Sequence, residues 1–415
     1  MSNQNKYDII IVGGGISGLY SAYNILKLSP EKKILVLERH KKQWIGGRIG
    51  NETFQGATVV TGAGIGRKEK DKLLIKLLKE LNVPYTECQA THNYAKTISP
   101  PCDVKKVFNI LKKQFKETPA SKTFKEFSLP FLGPELYKNL IICSGYSDYE
   151  NEDAADTFYS YGFDDNYSQW TALDIPWKKM IDAICKKIGY KNICTSSYVT
   201  KIDFLAHNNF VIHTENGKSY SCDKVILATT ITSILKLIPG ASKKDSIYQQ
   251  IHGQTFLRLY GKFSKLSAEV MKQYVSGVTI VPGPLKKIIS IDSGKGVYMI
   301  AYTDNVDAIF LKNRLENTEK NRDYFCELLE YALGIPAGML HLNSIKDFYW
   351  PIGTHYYGPL DSQFKTRKDF IKSAQKPMPG MLIVGEMISM NQGWTEGALE
   401  SVNAVITKKW IDDNS

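Results

Sequence analysis

A glycine-rich turn near the N-terminus is the feature that most constrains how this chain can fold. Residues 7–12, rich in isoleucine, are typical of a strand buried on both faces of a parallel sheet. Gly13, Gly15 and Gly18 follow in the spacing GxGxxG, and residues 19–28 continue as a predicted helix. The first glycine makes the turn, the second lets a pyrophosphate approach the backbone, and the third lets the helix pack on the strand. The pattern predicts a Rossmann-like α/β domain that binds a dinucleotide.

An acidic residue stands at the end of the next predicted strand, residues 34–37. Glu38 lies 20 residues beyond Gly18, where its carboxylate can bond the ribose hydroxyls of an adenine dinucleotide. Ile16 and Ser17 open the helix whose N-terminus is the expected phosphate site. Arg39, beside the acid, is a further candidate contact. A carboxylate at this position argues against the 2′-phosphate of NADP.

A second glycine pair distinguishes between FAD and NAD. Gly46 and Gly47 precede Arg48, so that backbone and guanidinium can approach a second stretch of pyrophosphate. Soluble NAD dehydrogenases do not usually need this element. Residues 62–66 look like another phosphate loop, but Arg67 stands where the third glycine should be. We therefore predict one dinucleotide fold, with FAD as its cofactor and no separate NAD(P)H domain.

Composition excludes several other classes of protein. The net charge is +11, from 53 Lys+Arg against 42 Asp+Glu, but the lysines form no RNA-binding motif, so we expect no nucleic-acid partner. The seven cysteines include no CxxC pair, so neither a metal site nor a disulfide framework is expected. No apolar run reaches about 18 residues, and no membrane span is expected. These features favour a cytoplasmic protein.

Further blocks of the sequence resemble the flavin-containing amine oxidase family, the group of monoamine, polyamine and L-amino-acid oxidases. The blocks are residues 46–48 (GGR), 59–64 with Thr61 in place of the usual acid, 199–202, 211–217, 223–229, 302–304, 383–386 and 393–398. They occur in the family's order along nearly the whole chain. The last two blocks, near the C-terminus, are the most specific.

The resemblance implies an α/β fold with two domains. A Rossmann-like FAD-binding domain is discontinuous and comprises residues 1–70, 175–245 and 376–415. An α+β substrate-binding domain comprises residues 71–174 and 246–375. The resemblance also implies FAD contacts at Gly64, Val199, Gly385, Glu386, Trp394, Thr395 and Ala398.

The resemblance further implies oxidation of a C–N bond in an amine or amino acid, with hydride transfer to flavin N5 and O2 as the acceptor that gives H2O2. Trp394 and Tyr356 are the expected aromatic walls of the substrate site. Arg258 is in register with a lysine that many members place near N5. It would stabilise negative charge on the reduced flavin or bind a substrate carboxylate. Arg67 would clamp the carboxylate of an amino acid.

Some alternatives stay open. A related flavin desaturase or porphyrinogen-type oxidase shares the cofactor motifs but has an apolar pocket. A non-catalytic flavin-binding homologue would account for Arg258 in place of lysine and Thr61 in place of an acid. His355 is either hydrogen-bonded within the protein or linked covalently to the flavin. The expected partners are a small-molecule amine or amino acid and O2, and a homodimer is left open.

Overall fold

The computed structural model describes residues 6–162, 170–205 and 209–413. The strands are Lys6–Val12, Ile34–Leu37, Asn51–Phe54, Ala57–Val60, Gly66–Arg67, Thr86–Ala90, His92–Tyr94, Trp170–Asp174, Ile193–Cys194, Val199–Phe204, Phe210–Thr214, Ser219–Leu227, Ile251–Phe263, Val278–Ile280, Lys287–Asp292, Val297–Asp304, Leu342–Tyr357 and Met381–Ile383. The α-helices are Ile16–Leu28, Lys72–Glu80, Val104–Glu117, Phe124–Leu132, Pro134–Ser144, Ala154–Tyr159, Trp177–Ile188, Ile231–Leu237, Lys265–Tyr274, Asn305–Leu311, Glu319–Leu333, Arg367–Ala374, Thr395–Asn403 and Lys408–Asp412. Short 3-10 helices cover Lys42–Trp44, Tyr190–Asn192, Ile247–Gln250, Lys312–Arg314 and Glu386–Ile388.

The first sheet has seven strands and a parallel centre. Lys6–Val12 lies in the middle, parallel to Ile34–Leu37 on one side and to Ser219–Leu227 on the other. Met381–Ile383 and Ile193–Cys194 extend this parallel arrangement, and an antiparallel pair completes the sheet. The strands come from the three stretches of sequence predicted to bind FAD. The α/β, Rossmann-like fold class is confirmed, and the domain boundaries stay predictions.

The second sheet has six strands, drawn from the two stretches predicted to bind substrate. Its two longest strands, Ile251–Phe263 and Leu342–Tyr357, pair antiparallel with an irregularity near their middle. Gln254 lies opposite Thr354, whereas Phe256 lies opposite residue 350, so three residues of one strand face a single residue of the other. Such a bulge bends the strand and re-aims the side chains that follow it.

The helix just beyond the predicted boundary at residues 70 and 71 packs against the first sheet. Helix Lys72–Glu80 buries Leu74, Leu77 and Leu78 in the same core cluster as Ile9 of the first sheet. Three apolar residues at helical spacing form one buried stripe, so this helix packs against the first sheet.

In the described part of the chain, no helix is both long enough and apolar enough to cross a membrane. Among the same residues, no group of three or more His, Cys, Asp or Glu side chains is arranged to hold a metal ion.

Candidate active site

One large cavity lies between the two sheets, with a volume of about 1420 Å³. Pockets for a single small ligand usually measure roughly 300–1,000 Å³, so this cavity has room for a large cofactor and a second molecule. It begins at the carboxyl ends of the parallel strands, where doubly wound folds bind ligands. Most predicted site residues line it: Gly13, Gly15, Ile16, Ser17, Glu38, Arg39, Gly46, Gly47, Arg48, Gly64, Val199, Arg258, Gly385, Glu386, Trp394, Thr395 and Ala398. Gly18, Arg67 and Tyr356 are not part of this lining.

The three glycines of the first loop occupy three different environments. Gly13 has φ +109°, and a Cβ there would lie 2.3 Å from the carbonyl oxygen of Ala228. A Cβ at Gly15 would meet nothing within 4 Å, because this position opens onto the cavity. A Cβ at Gly18 would lie 1.9 Å from the carbonyl oxygen of Gly13, so this glycine lets helix and strand approach closely. The predicted division of roles therefore matches the geometry, with Gly18 in a packing role.

Glu38 and the second glycine pair complete the rim of this loop. The buried Glu38 carboxylate accepts hydrogen bonds from the Gly14 N–H at 2.7 Å and from the His40 N–H at 2.8 Å. The Gly46 N–H donates to the carbonyl of Gly14 at 2.9 Å. A Cβ at Gly47 would lie 3.4 Å from the Cα of the second glycine of the loop. The two glycine segments, distant in sequence, thus form one continuous backbone surface.

A buried network holds Glu386 at the cavity wall. Arg48 donates to Glu386 Oε1 at 2.7 Å, and Nδ1 of His355 lies 2.5 Å from the same oxygen. The Gly393 N–H donates to the other oxygen at 3.1 Å. Burial alone would raise the pKa of the Glu386 carboxyl, but His355 and Arg48 lower it to about 2. The group is therefore a carboxylate at neutral pH.

The second ring nitrogen of His355 is also engaged. The Ile231 N–H lies 3.3 Å from His355 Nε2, and Nδ1 lies 2.5 Å from Glu386 Oε1, so the protein engages both ring nitrogens. The His355 side chain is fully buried. Because the protein engages both ring nitrogens, the geometry supports a hydrogen-bonded His355 and not a covalent link to the flavin.

Arg67 lies behind Trp394, and its predicted role as a carboxylate clamp is corrected. Its Nη2 and Nε donate to Asp71 Oδ1 at 2.7 and 2.9 Å, and the residue is 3% exposed. The guanidinium carbon lies 3.8 Å from the centroid of the Trp394 ring. The charge of Arg67 is thus balanced inside the protein, four residues away in sequence. The guanidinium packs against the Trp394 ring, which in turn lines the cavity.

Tyr356 also differs from its predicted position opposite Trp394. It pairs with His252 across the strands, and the two rings stack at 5.0 Å. It lines a small side pocket of about 20 Å³, room for one water molecule. Thr354 is the strand residue nearest Gly393, with its Cγ2 3.6 Å from where a Cβ of that glycine would stand. Tyr356 therefore lines the side pocket, whereas Trp394 lines the large cavity.

Two protein-family models match this chain. The model of an NAD(P)-binding Rossmann-like domain matches residues 11–81, and that of flavin containing amine oxidoreductases matches residues 111–403. The chain belongs to the flavin-containing amine oxidoreductase family.

One curated relative and one solved structure are similar to the chain over nearly its whole length. An uncharacterized protein of Acanthamoeba polyphaga mimivirus is 22% identical over 509 aligned positions, covering 100% of this chain and 96% of the relative. The solved structure of a putrescine oxidase triple mutant, made to redesign cofactor binding, aligns with a TM-score of 0.72. It covers 96% of this chain and 97% of that one at 14% identity, so this likeness shows the fold alone.

FAD is the cofactor of this amine oxidoreductase, and the cavity fits it. The open position at Gly15 and the helix N-terminus after it suit a pyrophosphate. Glu38 presents a carboxylate where a ribose is expected. Arg48 keeps further guanidinium N–H groups beside the one bonded to Glu386.

Sequence analysis missed the ionisable groups at the far end of the cavity. Asp148 and Lys287 line it, together with Tyr146 and Tyr302. Burial, followed by the charge of Asp304, raises the pKa of Asp148 to about 7. Burial lowers the pKa of Lys287 to about 7. The 302–304 block had signalled Tyr302 as a family match only, and Asp148 and Lys287 carried no motif.

Proposed function

We propose that this flavoenzyme oxidises the C–N bond of an amine or amino acid to an imine. FAD, when bound, supplies the acceptor for a hydride equivalent and passes the electrons to O2, which leaves as H2O2. The observation that carries the proposal is the continuity of one cavity. A single space joins the glycine loop and Glu38 to a chamber lined by Trp394 and Tyr302.

The chamber supports this reaction through exclusion of water and orientation of the substrate. Phe256, Met299 and Phe348 give it apolar walls. Trp394, backed by Arg67, and Tyr302 supply aromatic faces that suit an ammonium group on its way into the site.

Asp148 is the group best placed to take up the substrate's proton. An ammonium must lose one proton before a hydride equivalent can leave the adjacent carbon. Asp148 faces the cavity, and Tyr161 Oη donates to its Oδ1 at 2.6 Å. Its pKa of about 7 suits a base near neutral pH, because the proton then moves from nitrogen to carboxylate at little cost.

The charged lining argues for amine oxidation over the alternative of a desaturase that acts on an apolar substrate. Such an enzyme needs an apolar pocket, whereas Asp148, Arg258 and Lys287 all line this one. Burying three ionisable groups around an uncharged substrate would be costly. A protein that only bound flavin would gain nothing from burying these three groups, so they also argue against a non-catalytic homologue.

The test is reduction of the enzyme-bound flavin in the absence of oxygen. Purified holoenzyme is mixed with a panel of primary amines, diamines and amino acids, and the visible flavin absorbance is followed. At least one class should bleach it, and readmitted air should restore the band and yield peroxide. Lys262→Met is a matched control, because Lys262 lies on the same strand as Arg258 but outside the cavity lining. If dithionite bleaches the flavin and no member of the panel does, the proposal is wrong.

A further inference from the structure

Arg258 is a buried cation that faces the cavity, and the part of the chain that the structure describes offers it no acidic partner. It is 7% exposed, and its guanidinium carbon lies 4.1 Å from the centroid of the Tyr302 ring. Nη1 contacts the sulfur of Met299 at 3.7 Å, and the hydroxyl of Tyr260 is a further neighbour. No carboxylate lies within 4 Å of it in residues 6–162, 170–205 and 209–413. A buried guanidinium without an anion is costly, so the site is electrostatically incomplete.

Lys287 is a second buried cation on the same wall. It is 7% exposed, with its Nζ 3.1 Å from the centroid of Tyr146 and 6.0 Å from that of Tyr302. Like Arg258, it forms no ion pair with any residue that the structure describes. The two cations therefore flank the pair of tyrosine rings, which meet edge to face at 5.6 Å.

The carboxyl groups nearby are compensated within the protein. Lys286 Nζ lies 3.4 Å from Asp304 and 3.2 Å from Asp307. In the side pocket, Arg367 pairs with Asp156 at 2.7 Å.

The remaining acids lose much of their charge through burial. Burial raises the pKa of Glu152 well above its ordinary value, and that of Asp148 to about 7. Because the pKa values of Asp148 and Lys287 both lie near 7, their charges offset each other, and among the described residues the charge of Arg258 is left without a counter-ion.

We propose that the substrate carries a carboxylate, which Arg258 and Lys287 bind. This inference rests on the proposed C–N oxidation and narrows its substrate to a carboxylate-bearing amine. A planar guanidinium with free N–H groups suits a carboxylate in particular, because two parallel hydrogen bonds can form. A diamine, with a second positive charge, would be repelled by the same pair of cations.

The test measures ligand binding to the oxidised holoenzyme and needs no turnover. The holoenzyme is titrated separately with benzoate, with its uncharged isostere benzamide and with inorganic phosphate. Binding is followed by the flavin spectrum and by the thermal unfolding temperature. Benzoate should bind at least about tenfold more tightly than benzamide, the difference expected from one hydrogen bond to a charged group. Equal affinities for benzoate and benzamide, or tighter binding of phosphate, would overturn the proposal.

Variants assign the effect to the two cations. Arg258→Met and Lys287→Met should each weaken benzoate by about tenfold or more and leave benzamide unchanged. Arg258→Lys should recover part of the loss, because charge returns without the planar fork. Lys262→Met should bind benzoate as the unaltered enzyme does. If Arg258→Met fails to fold with FAD, Lys287→Met decides the matter, and unchanged benzoate affinity there refutes the two-cation site.

The two proposals fail in different ways. If simple amines bleach the flavin while benzoate does not bind, C–N oxidation stands and the carboxylate site is wrong. If benzoate binds through both cations while no amine or amino acid bleaches the flavin, the carboxylate site stands and the proposed oxidation is wrong.

Discussion

Replacing Glu386 by glutamine should destabilise the protein by about 3 kcal/mol at neutral pH. The charged carboxylate accepts from Arg48 and Gly393, and His355 Nδ1 lies 2.5 Å away. Its pKa is about 2 against an ordinary 4.5. A difference of that size corresponds to about 3 kcal/mol of preference for the charged form in the folded state. Breaking a buried ion pair typically costs about 3–5 kcal/mol, which agrees.

The loss should depend on pH in a defined direction. Because folding lowers the pKa of Glu386, its contribution is fully present above the unfolded value near 4.5 and disappears as pH falls through about 2. Glu386→Gln cannot titrate. The difference in unfolding free energy between the two proteins should therefore be full at pH 7 and shrink between about pH 4.5 and pH 2.

Urea unfolding followed by tryptophan fluorescence and by flavin release measures this difference. Glu269→Gln is the control, because Glu269 makes an exposed ion pair with Lys272 at 2.6 Å. That change should cost less than about 1 kcal/mol. The reasoning is refuted if Glu386→Gln unfolds within about 1 kcal/mol of the unaltered protein at pH 7, or if the difference persists undiminished toward pH 2.

Three further outcomes are expected. Gly15→Val should fold but lose its FAD, measured as the ratio of flavin to protein absorbance, whereas Gly18→Val should lower the unfolding temperature because its Cβ has no room. Retention of FAD by Gly15→Val would contradict the assigned phosphate site. Arg67→Leu should cost about 3 kcal/mol in urea unfolding by stranding a buried carboxylate, and a loss below about 0.5 kcal/mol would argue against it. Benzoate should bind more tightly as pH falls through about 7, because Lys287 gains its charge and Asp148 loses one; in Lys287→Met this dependence should flatten.

The FAD-binding half could be predicted because its signals are local. The turn at Gly13, the open position at Gly15 and the close contact at Gly18 each follow from backbone geometry within one strand–turn–helix unit. Glu38 follows because the next parallel strand ends at the same edge of the sheet. Such features need no knowledge of distant packing.

The substrate-binding half could not be predicted to the same depth, because its side chains depend on register and on long-range contacts. The strand pair has a bulge between Gln254 and Phe256, and Thr354, not Tyr356, stands beside Gly393. Alternation along the strand carries no sign of such a bulge. The family match at 302–304 gave no sign of how Tyr302 would be placed between two cations.

The arginines show that the ion pairs a side chain makes in the fold, and not its residue type, decide whether it is available to a ligand. From sequence, Arg67 and Arg258 are both candidates for binding a substrate carboxylate, and Arg258 also for stabilising the reduced flavin. In the fold, Asp71 neutralises Arg67 at 2.7 Å, and Glu386 neutralises Arg48 at the same distance. Arg258 is 7% exposed, yet no described acid neutralises it. Because a buried guanidinium is stabilised by a counter-charge, we expect the ligand to supply one at Arg258, and none is needed at the other two.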